Sequence, residues 1–337
     1  MGTAMQLFRK LTLQRVWNAV SVLGSYYWSR WKKTPVQWGL PISVSIEPTT
    51  SCNLRCPECP SGLRSFSRPT GMLSEEFFRD TVNDLSGHLL YMNFYFQGEP
   101  FLHPKLTAMI RYAADKKIFT STSTNAHFLD DEKAKQTVLS GLDRLIISID
   151  GTTQETYSAY RIGGKLEKVI DGTKNIIRWK KELKSKTPRV VFQFLVVRPN
   201  EHQVEDVKKM ADDLGVDEVV LKTAQVYEYE NGNELIPEND AFARYKRKAN
   251  GKWEIKNRLE NHCWKMWHSC VITWDGAVVP CCFDKDAQHK LGALGKFSMK
   301  NIWFSAQYQN FRAAVLRGRK EIDICSNCSE GTHVWAE

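Results

Sequence analysis

Six short apolar runs recur at intervals of a few dozen residues: "ISVSIEP" from Ile42, "LYMNFYF" from Leu90, "IFTSTSTN" from Ile118, "RLIISID" from Arg144, "RVVFQFLVV" from Arg189 and "DEVVLKT" from Asp217. Their length and β-branched content predict buried strands. Helical patterns lie between them. "SEEFFRDTVNDL" has Ser74 as its N-cap, and "HPKLTAMIRYAADKK" places Pro104 in its first turn. Strand alternating with helix six times predicts a parallel sheet with helices outside, either open or partly closed into a barrel. In such sheets the chemistry sits on loops that follow the carboxyl ends of the strands.

Past Thr223 the alternation stops. Residues 225–262 are polar and predict a linker or meander, and from Cys263 a compact cysteine-bearing module begins. Within it, "VITWDGAVVP" predicts a hairpin, since Asp275-Gly276 stands between alternating apolar residues. A last helix is predicted over "KNIWFSAQYQNFRAAVLRG", with Gly318 near its end.

A chain of 337 residues with 42% hydrophobic content has room for one large core and a smaller one. The +9 formal charge comes from scattered basic residues without a nucleic-acid-binding motif, so no nucleic acid is expected as partner. No signal peptide is evident: the apolar run within Met1 to Trp31 is broken by Asn18, Ser21 and Ser25. A reducing, cytoplasmic setting is therefore expected, in which nine cysteines are ligands or thiols rather than disulfides.

Three of the nine stand in "EPTTSCNLRCPECPSG", directly after the first predicted strand. On a helix Cys52, Cys56 and Cys59 would share an apolar face, but Pro57 and Pro60 oppose that helix, and Asn53, Arg55 and Glu58 leave little apolar face to bury. The loop reads instead as one folded around something thiophilic. Structural zinc prefers four ligands, whereas an iron-sulfur cube held by three thiolates keeps one iron open.

The C-x3-C-x2-C pattern of Cys52, Cys56 and Cys59 resembles the signature of radical S-adenosylmethionine (SAM) enzymes. That resemblance implies a partial (β/α)6 TIM-like barrel, an α/β fold, in which the three cysteines bind a [4Fe-4S] cluster and SAM chelates the fourth iron. Other strand ends carry further marks of the family. "QGEP" (Gln97, Gly98, Glu99, Pro100) is similar to the family's GGEP motif for the SAM amino group; Gln97 departs from its first glycine. "STNA" supplies Ser123 and Asn125, and "SIDG" supplies Ser148 and Asp150. Arg161 lies where many relatives carry a carboxylate-binding arginine. A second departure is Glu58, where the family usually has an aromatic residue.

The remaining cysteines are Cys263, Cys270, Cys281, Cys282, Cys325 and Cys328. A C-x2-C pair with thiols around an upstream hairpin suits a closed four-thiolate site, and spacing alone leaves zinc and iron-sulfur equally open. The order resembles the Twitch module, the shortened SPASM domain, which implies an auxiliary [4Fe-4S] cluster on Cys263, Cys281, Cys325 and Cys328. Cys282 competes with Cys281 for one ligand position, and Cys270 reads as a buried thiol. The domain organisation expected is an N-terminal basic and aromatic helical segment (1–40), a radical SAM partial barrel (41–224), a linker (225–262) and a Twitch/SPASM-like domain (263–337).

Residues 6–33 mix basic and aromatic side chains. Such a helix lies on a membrane, at the inner surface, or grips a partner; a helix packed against the barrel's open side has the same composition. Its apolar stretch is too short and too polar to span a bilayer. No histidine pattern marks a metal site, and His103 reads as a helix-start residue. By resemblance the chain cleaves SAM reductively with an electron from a flavodoxin- or ferredoxin-type donor and takes a hydrogen atom from its substrate. An auxiliary cluster as electron acceptor would make the reaction a net oxidation of a small, sugar-derived molecule. The alternative is cross-linking or epimerisation of a ribosomally synthesised peptide. No catalytic acid or base is singled out.

Overall fold

The computed structural model describes residues 3–329. Residues 1–2 and 330–337, the outer ends of the expected N-terminal segment and auxiliary domain, lie outside the described residues. Six strands, β1 (Ser43–Ile46), β2 (Tyr91–Asn93), β3 (Phe119–Thr124), β4 (Arg144–Ser148), β5 (Arg189–Val196) and β6 (Glu218–Thr223), form on the six apolar runs. Each pairs in parallel with its predecessor. Winding in one direction without a reversal is the barrel's topology, not that of a doubly wound sheet. The barrel does not close, because β1 and β6 are not neighbours in the sheet.

Two helices, α1 (Thr3–Phe8) and α2 (Leu13–Lys32), precede β1, and the short α3 (Pro60–Leu63) follows the three-cysteine loop. The barrel helices are α4 (Glu75–Leu85), α5 (Leu106–Asp115), α6 (Asp131–Leu139), α7 (Gln154–Tyr160), α8 (Leu166–Glu182) and α9 (Val204–Leu214). Ser74 caps α4 by accepting the Phe77 N–H at 3.2 Å. Pro104 falls outside α5 rather than in its first turn, because the helix begins only at Leu106, after a tight turn at His103. Alternation sorts the strand side chains. Val44, Met92, Leu145 and Phe192 join the helices' Phe78, Ile110, Val169 and Ile176 in one buried core. Their neighbours Ser45, Asn93 and Arg144 therefore occupy the opposite face of the sheet, inside the barrel, as does Ser121, which pairs with both Asn93 and Arg144.

The linker carries a small antiparallel pair, β7 (Tyr245–Arg247) with β8 (Trp253–Ile255). After α10 (Lys265–His268), the predicted hairpin forms from β9 (Ser269–Ile272) and β10 (Ala277–Val279), turning at Gly276 with φ +85°. With β11 (Gly292–Ala293) it belongs to the barrel sheet itself, since β9 pairs in parallel with the free edge of β1. The single last helix predicted is two, α11 (Met299–Trp303) and α12 (Ala306–Gly318). Ser305 causes the break: its side chain accepts the Tyr308 N–H and so starts a new helix instead of continuing the old one. A last short helix, α13 (Asp323–Ser326), carries Cys325.

Helix α2 crosses beneath the amino ends of the strands. Arg15 donates to the backbone oxygens of Ser86, Lys116 and Lys117, which precede β2 and β3.

Candidate active site

The three-cysteine loop is irregular from Cys52 to Cys59, as its prolines require, and its thiols share a small apolar cluster with Leu54 and Tyr160. Burial pushes the Cys52 thiol up to about 12 and raises Cys56, which the Arg161 guanidinium pulls back. Thiols so placed hold their protons unless a cationic centre stands beside them. Two observations point to a ligand above the loop: a cleft of about 400 Å³ opens beside Cys52, and Gln97 Oε1 and Tyr157 OH are buried without a partner.

Gly98 seats the QGEP turn against this loop. Its φ is +74°, and a Cβ there would stand 2.3 Å from the Thr49 oxygen and 2.8 Å from the Ser51 oxygen, so only glycine permits the approach. Its N–H donates to Ser61 Oγ at 2.8 Å, and the Glu99 N–H donates to the Ser51 oxygen. Glu99 is fully enclosed and accepts from the Asn125 N–H (2.8 Å), Thr124 Oγ1 (2.7 Å) and the Phe101 N–H (3.1 Å). Burial nonetheless leaves its carboxyl raised. Much of its accepting capacity is thus spent joining β2's end to β3's end.

Asn125 donates to Asn53 Oδ1 at 2.8 Å, which brings the STNA and cysteine loops together. Asp150 accepts from the Leu195 N–H (2.7 Å) and from Arg161 Nε (2.5 Å), and Arg161 Nη1 reaches Cys56 Sγ at 3.7 Å. Ser123 and Ser148 stand on β3 and β4, half-buried and buried. Gln97 to Pro100, Ser123, Asn125, Ser148 and Asp150 thus end or follow β2, β3 and β4 at the carboxyl end of the barrel, and of the predicted residues Asn125 and Arg161, the latter capping α7, reach the first thiol set. Glu58 accepts the Tyr227 N–H at 3.0 Å, so the residue that departs from the family pattern ties the cysteine loop to the linker. His103 is a turn residue: Nε2 donates to the Leu73 oxygen and Nδ1 accepts the Lys105 N–H.

The second thiol set lies at the other end. Because β9 runs parallel to β1 and β10 returns antiparallel, the segments before β9 and after β10 both sit at the amino ends of the strands. There Cys263, Cys281, Cys325 and Cys328 line one enclosed cavity with Met266, Phe311 and Arg319. Arg319 Nη2 donates to Cys328 Sγ at 3.3 Å. Burial raises the Cys263 and Cys281 thiols and takes Cys325 up to about 11. Cys282 is absent from that lining; Lys265 Nζ approaches its sulfur at 3.7 Å. Cys270 is buried in the barrel core on β9. Among the described residues no three His, Cys, Asp or Glu side chains are drawn together tightly enough to grip a single metal ion. The second set instead surrounds a space, which suits a multi-iron cube with one thiolate per iron; of the first set, Cys52 lines the cleft beside the loop.

Between the two ends runs a row that sequence reasoning missed. Ser45, Asn93, Ser121 and Arg144 are consecutive partners across β1 to β4. Asn93 donates to Ser45, while Asn93 Oδ1, Ser121 Oγ and Arg144 Nε are buried without partners. Also missed was a buried ion pair: Arg68 Nη1 and Nη2 donate to Glu47 at 2.8 and 2.6 Å, and Arg68 Nε donates to the Lys285 oxygen. Glu47 offered only a weak signal, as an acid ending an apolar strand just before the cysteines.

Comparison with known proteins matches residues 46–214 to the Radical SAM superfamily and residues 263–329 to SPASM, an iron-sulfur cluster-binding domain. A tungsten-containing aldehyde ferredoxin oxidoreductase cofactor-modifying protein of Pyrococcus furiosus is 25% identical over 84% of this chain and 86% of its own. Among solved structures, BtrN in complex with AdoMet and 2-DOIA superposes with a TM-score of 0.53 at 18% identity, covering 88% of this chain and 96% of that one. SuiB of Streptococcus suis bound to the precursor peptide SuiA gives 0.62 at 13% identity, over 86% and 70%.

Proposed function

The chain belongs to the radical SAM superfamily and carries a SPASM domain, and from that premise we propose that it oxidises a small polar molecule held inside the barrel between its two thiol sets. The observation that carries the reading is the row Ser45, Asn93, Ser121 and Arg144, in which Asn93 Oδ1, Ser121 Oγ and Arg144 Nε are buried without partners within the protein. Buried polar atoms are rarely left unpaired, so a polar guest is the economical occupant. Arg144 would take its acidic or carbonyl group, and Ser121 and Asn93 its hydroxyls. The Pyrococcus relative is named for modifying a cofactor.

Cys52, Cys56 and Cys59 would hold the SAM-binding [4Fe-4S] cluster, and Cys263, Cys281, Cys325 and Cys328 the auxiliary one. When bound, SAM and the first cluster supply a 5′-deoxyadenosyl radical that removes a hydrogen atom from an unactivated C–H bond, and the auxiliary cluster supplies a one-electron acceptor. The protein's own share is placement. Gly98 lets the QGEP turn come down on the cysteine loop, and Arg161, fixed by Asp150, puts a positive charge beside Cys56. Arg319 does the same beside Cys328. The external reductant would be a flavodoxin- or ferredoxin-type protein.

The test is anaerobic reconstitution with counting of iron, then incubation with SAM and dithionite. The wild type should hold about eight irons, two cubes of four, and produce 5′-deoxyadenosine. Cys52→Ala should keep about half the iron and lose SAM cleavage. Cys281→Ala with Cys325→Ala should keep cleavage and lose the oxidised product. About four irons in the wild type, or product formation by the second variant, would remove the electron-acceptor role.

A second reading, radical modification of a ribosomally made peptide, is favoured by a surface groove of about 620 Å³ between Gln225–Gly232 and Asp323–Asn327. Asn93→Ala with Arg144→Met separates the two: it should abolish turnover of a small substrate held in the barrel and spare a peptide lying in the groove.

A further inference from the structure

Helix α2 packs with its polar side inward. At about 100° per residue, Arg15, Asn18, Val22, Ser25, Tyr26 and Ser29 share one arc and are buried. Leu13, Trp17, Val20, Tyr27, Trp28 and Trp31 share the opposed arc and are exposed, Leu13 at 91% and Trp17 at 75%. The inward groups are bonded in place. Asn18 exchanges two hydrogen bonds with the Leu40 backbone, at 2.8 and 2.9 Å, and Ser29 bonds to Val36. Rolling the helix over to hide its apolar face would break these bonds along with those of Arg15. The exposed face continues onto Trp38, whose ring lies 6.1 Å from that of Trp28.

Charge decides what covers this face. Residues 1–46 contain no Asp or Glu and six Lys or Arg. The cations sit at the aromatic rim: Lys32 Nζ stands 4.0 Å above the Trp31 ring, and Arg30 lies 6.0 Å from that of Tyr27. A second copy would press like charge against like. Tryptophan and tyrosine beside Lys and Arg match the apolar and anionic zones of a lipid surface. We infer that α2 docks this protein on an anionic phospholipid bilayer, its apolar face in the headgroup–acyl boundary. It lies on the bilayer and does not cross it, since no helix among the described residues is long and apolar enough to do so. Tyr26 bonds to His262 at 2.9 Å and packs on Trp264, so the docked protein turns the Cys263 end of the barrel toward the lipid and the Cys52 end away from it.

The experiment is flotation of the full-length, anaerobically purified protein with vesicles of phosphatidylcholine, alone or mixed with phosphatidylglycerol. The protein should float with the mixed vesicles and release in high salt. Arg30→Gln with Lys32→Gln should weaken that binding about 30-fold, from about 1 kcal/mol per cation near an anionic surface. Trp17→Glu with Trp31→Glu changes only exposed side chains and should abolish flotation while the melting temperature holds. Failure to float, or flotation untouched by both double variants, overturns the inference. So does a dimer in light scattering that Val20→Glu splits, which would give the face to a second copy.

Discussion

Removing Arg68 strands a carboxylate at the root of the cysteine loop. Glu47 directly follows β1, is fully buried, and receives both terminal nitrogens of Arg68, whose side chain is only 5% exposed. The Trp274 N–H, at 3.2 Å, is its remaining donor. Arg68→Met keeps the apolar stem and deletes the charge, leaving an uncompensated buried anion, which costs about 3–5 kcal/mol. With about 2.1 cal/mol/K of unfolding entropy per residue over 337 residues, that is a fall of about 4–7 °C in melting temperature. The pH dependence has a definite sign. Burial already raises the Glu47 carboxyl against the pull of Arg68, and without Arg68 it rises further. A carboxyl with a raised native pKa binds its proton more readily folded than unfolded, so the variant loses stability as pH rises through that window. Its deficit should therefore be largest at pH 7 and shrink on acidification toward the ordinary carboxylate range. Glu47→Gln with Arg68→Met, which buries no charge, should recover much of the loss. The assay is thermal unfolding of wild type and both variants at several pH values. A deficit below about 1 kcal/mol at pH 7, or one that grows on acidification, would refute the reasoning.

Gly98→Ala should lower SAM affinity at least about tenfold in equilibrium binding, because the left-handed backbone alone costs an L-residue about 1–2 kcal/mol and the new Cβ meets the Thr49 oxygen; unchanged affinity would remove the role given to this turn. Arg161→Lys should fail to restore the 5′-deoxyadenosine formation lost in Arg161→Met, since one ammonium cannot serve Asp150 and Cys56 in the two directions that Nε and Nη1 reach. Rescue by lysine would mean that charge alone matters. Cys270→Ala should keep the full iron count and lose about 0.5–3 kcal/mol of stability, as a core thiol on β9 would, whereas Cys281→Ala should lose iron; equal iron loss in the two would contradict the separation.

Where one residue type or one spacing sufficed, the sequence was a good guide. All six apolar runs became strands, β1 to β5 with buried faces and β6 half-exposed at the sheet's edge, and Ser74 and Gly276 mark a helix start and a turn by chemistry that needs no distant partner. Pro57 and Pro60 forbid a helix through the cysteines, which keeps that loop irregular whatever packs around it. Local rules failed where a competing local bond intervened, as at Ser305, and where a neighbouring turn set the boundary, as at Leu106.

What tertiary structure alone decided depends on partners far apart in the chain. That β9 extends the barrel sheet through β1 rests on pairing across more than two hundred residues, for which the local pattern carries no register. The same pairing sets Cys281 at the cavity and leaves Cys282 outside its lining, a choice that adjacent cysteines cannot signal. The polar row of Ser45, Asn93, Ser121 and Arg144 exists only because four strands align. The basic and aromatic composition of α2 did not say which side turns inward; the backbone oxygens awaiting Arg15 and Asn18 settled that, and left the aromatic face to the outside.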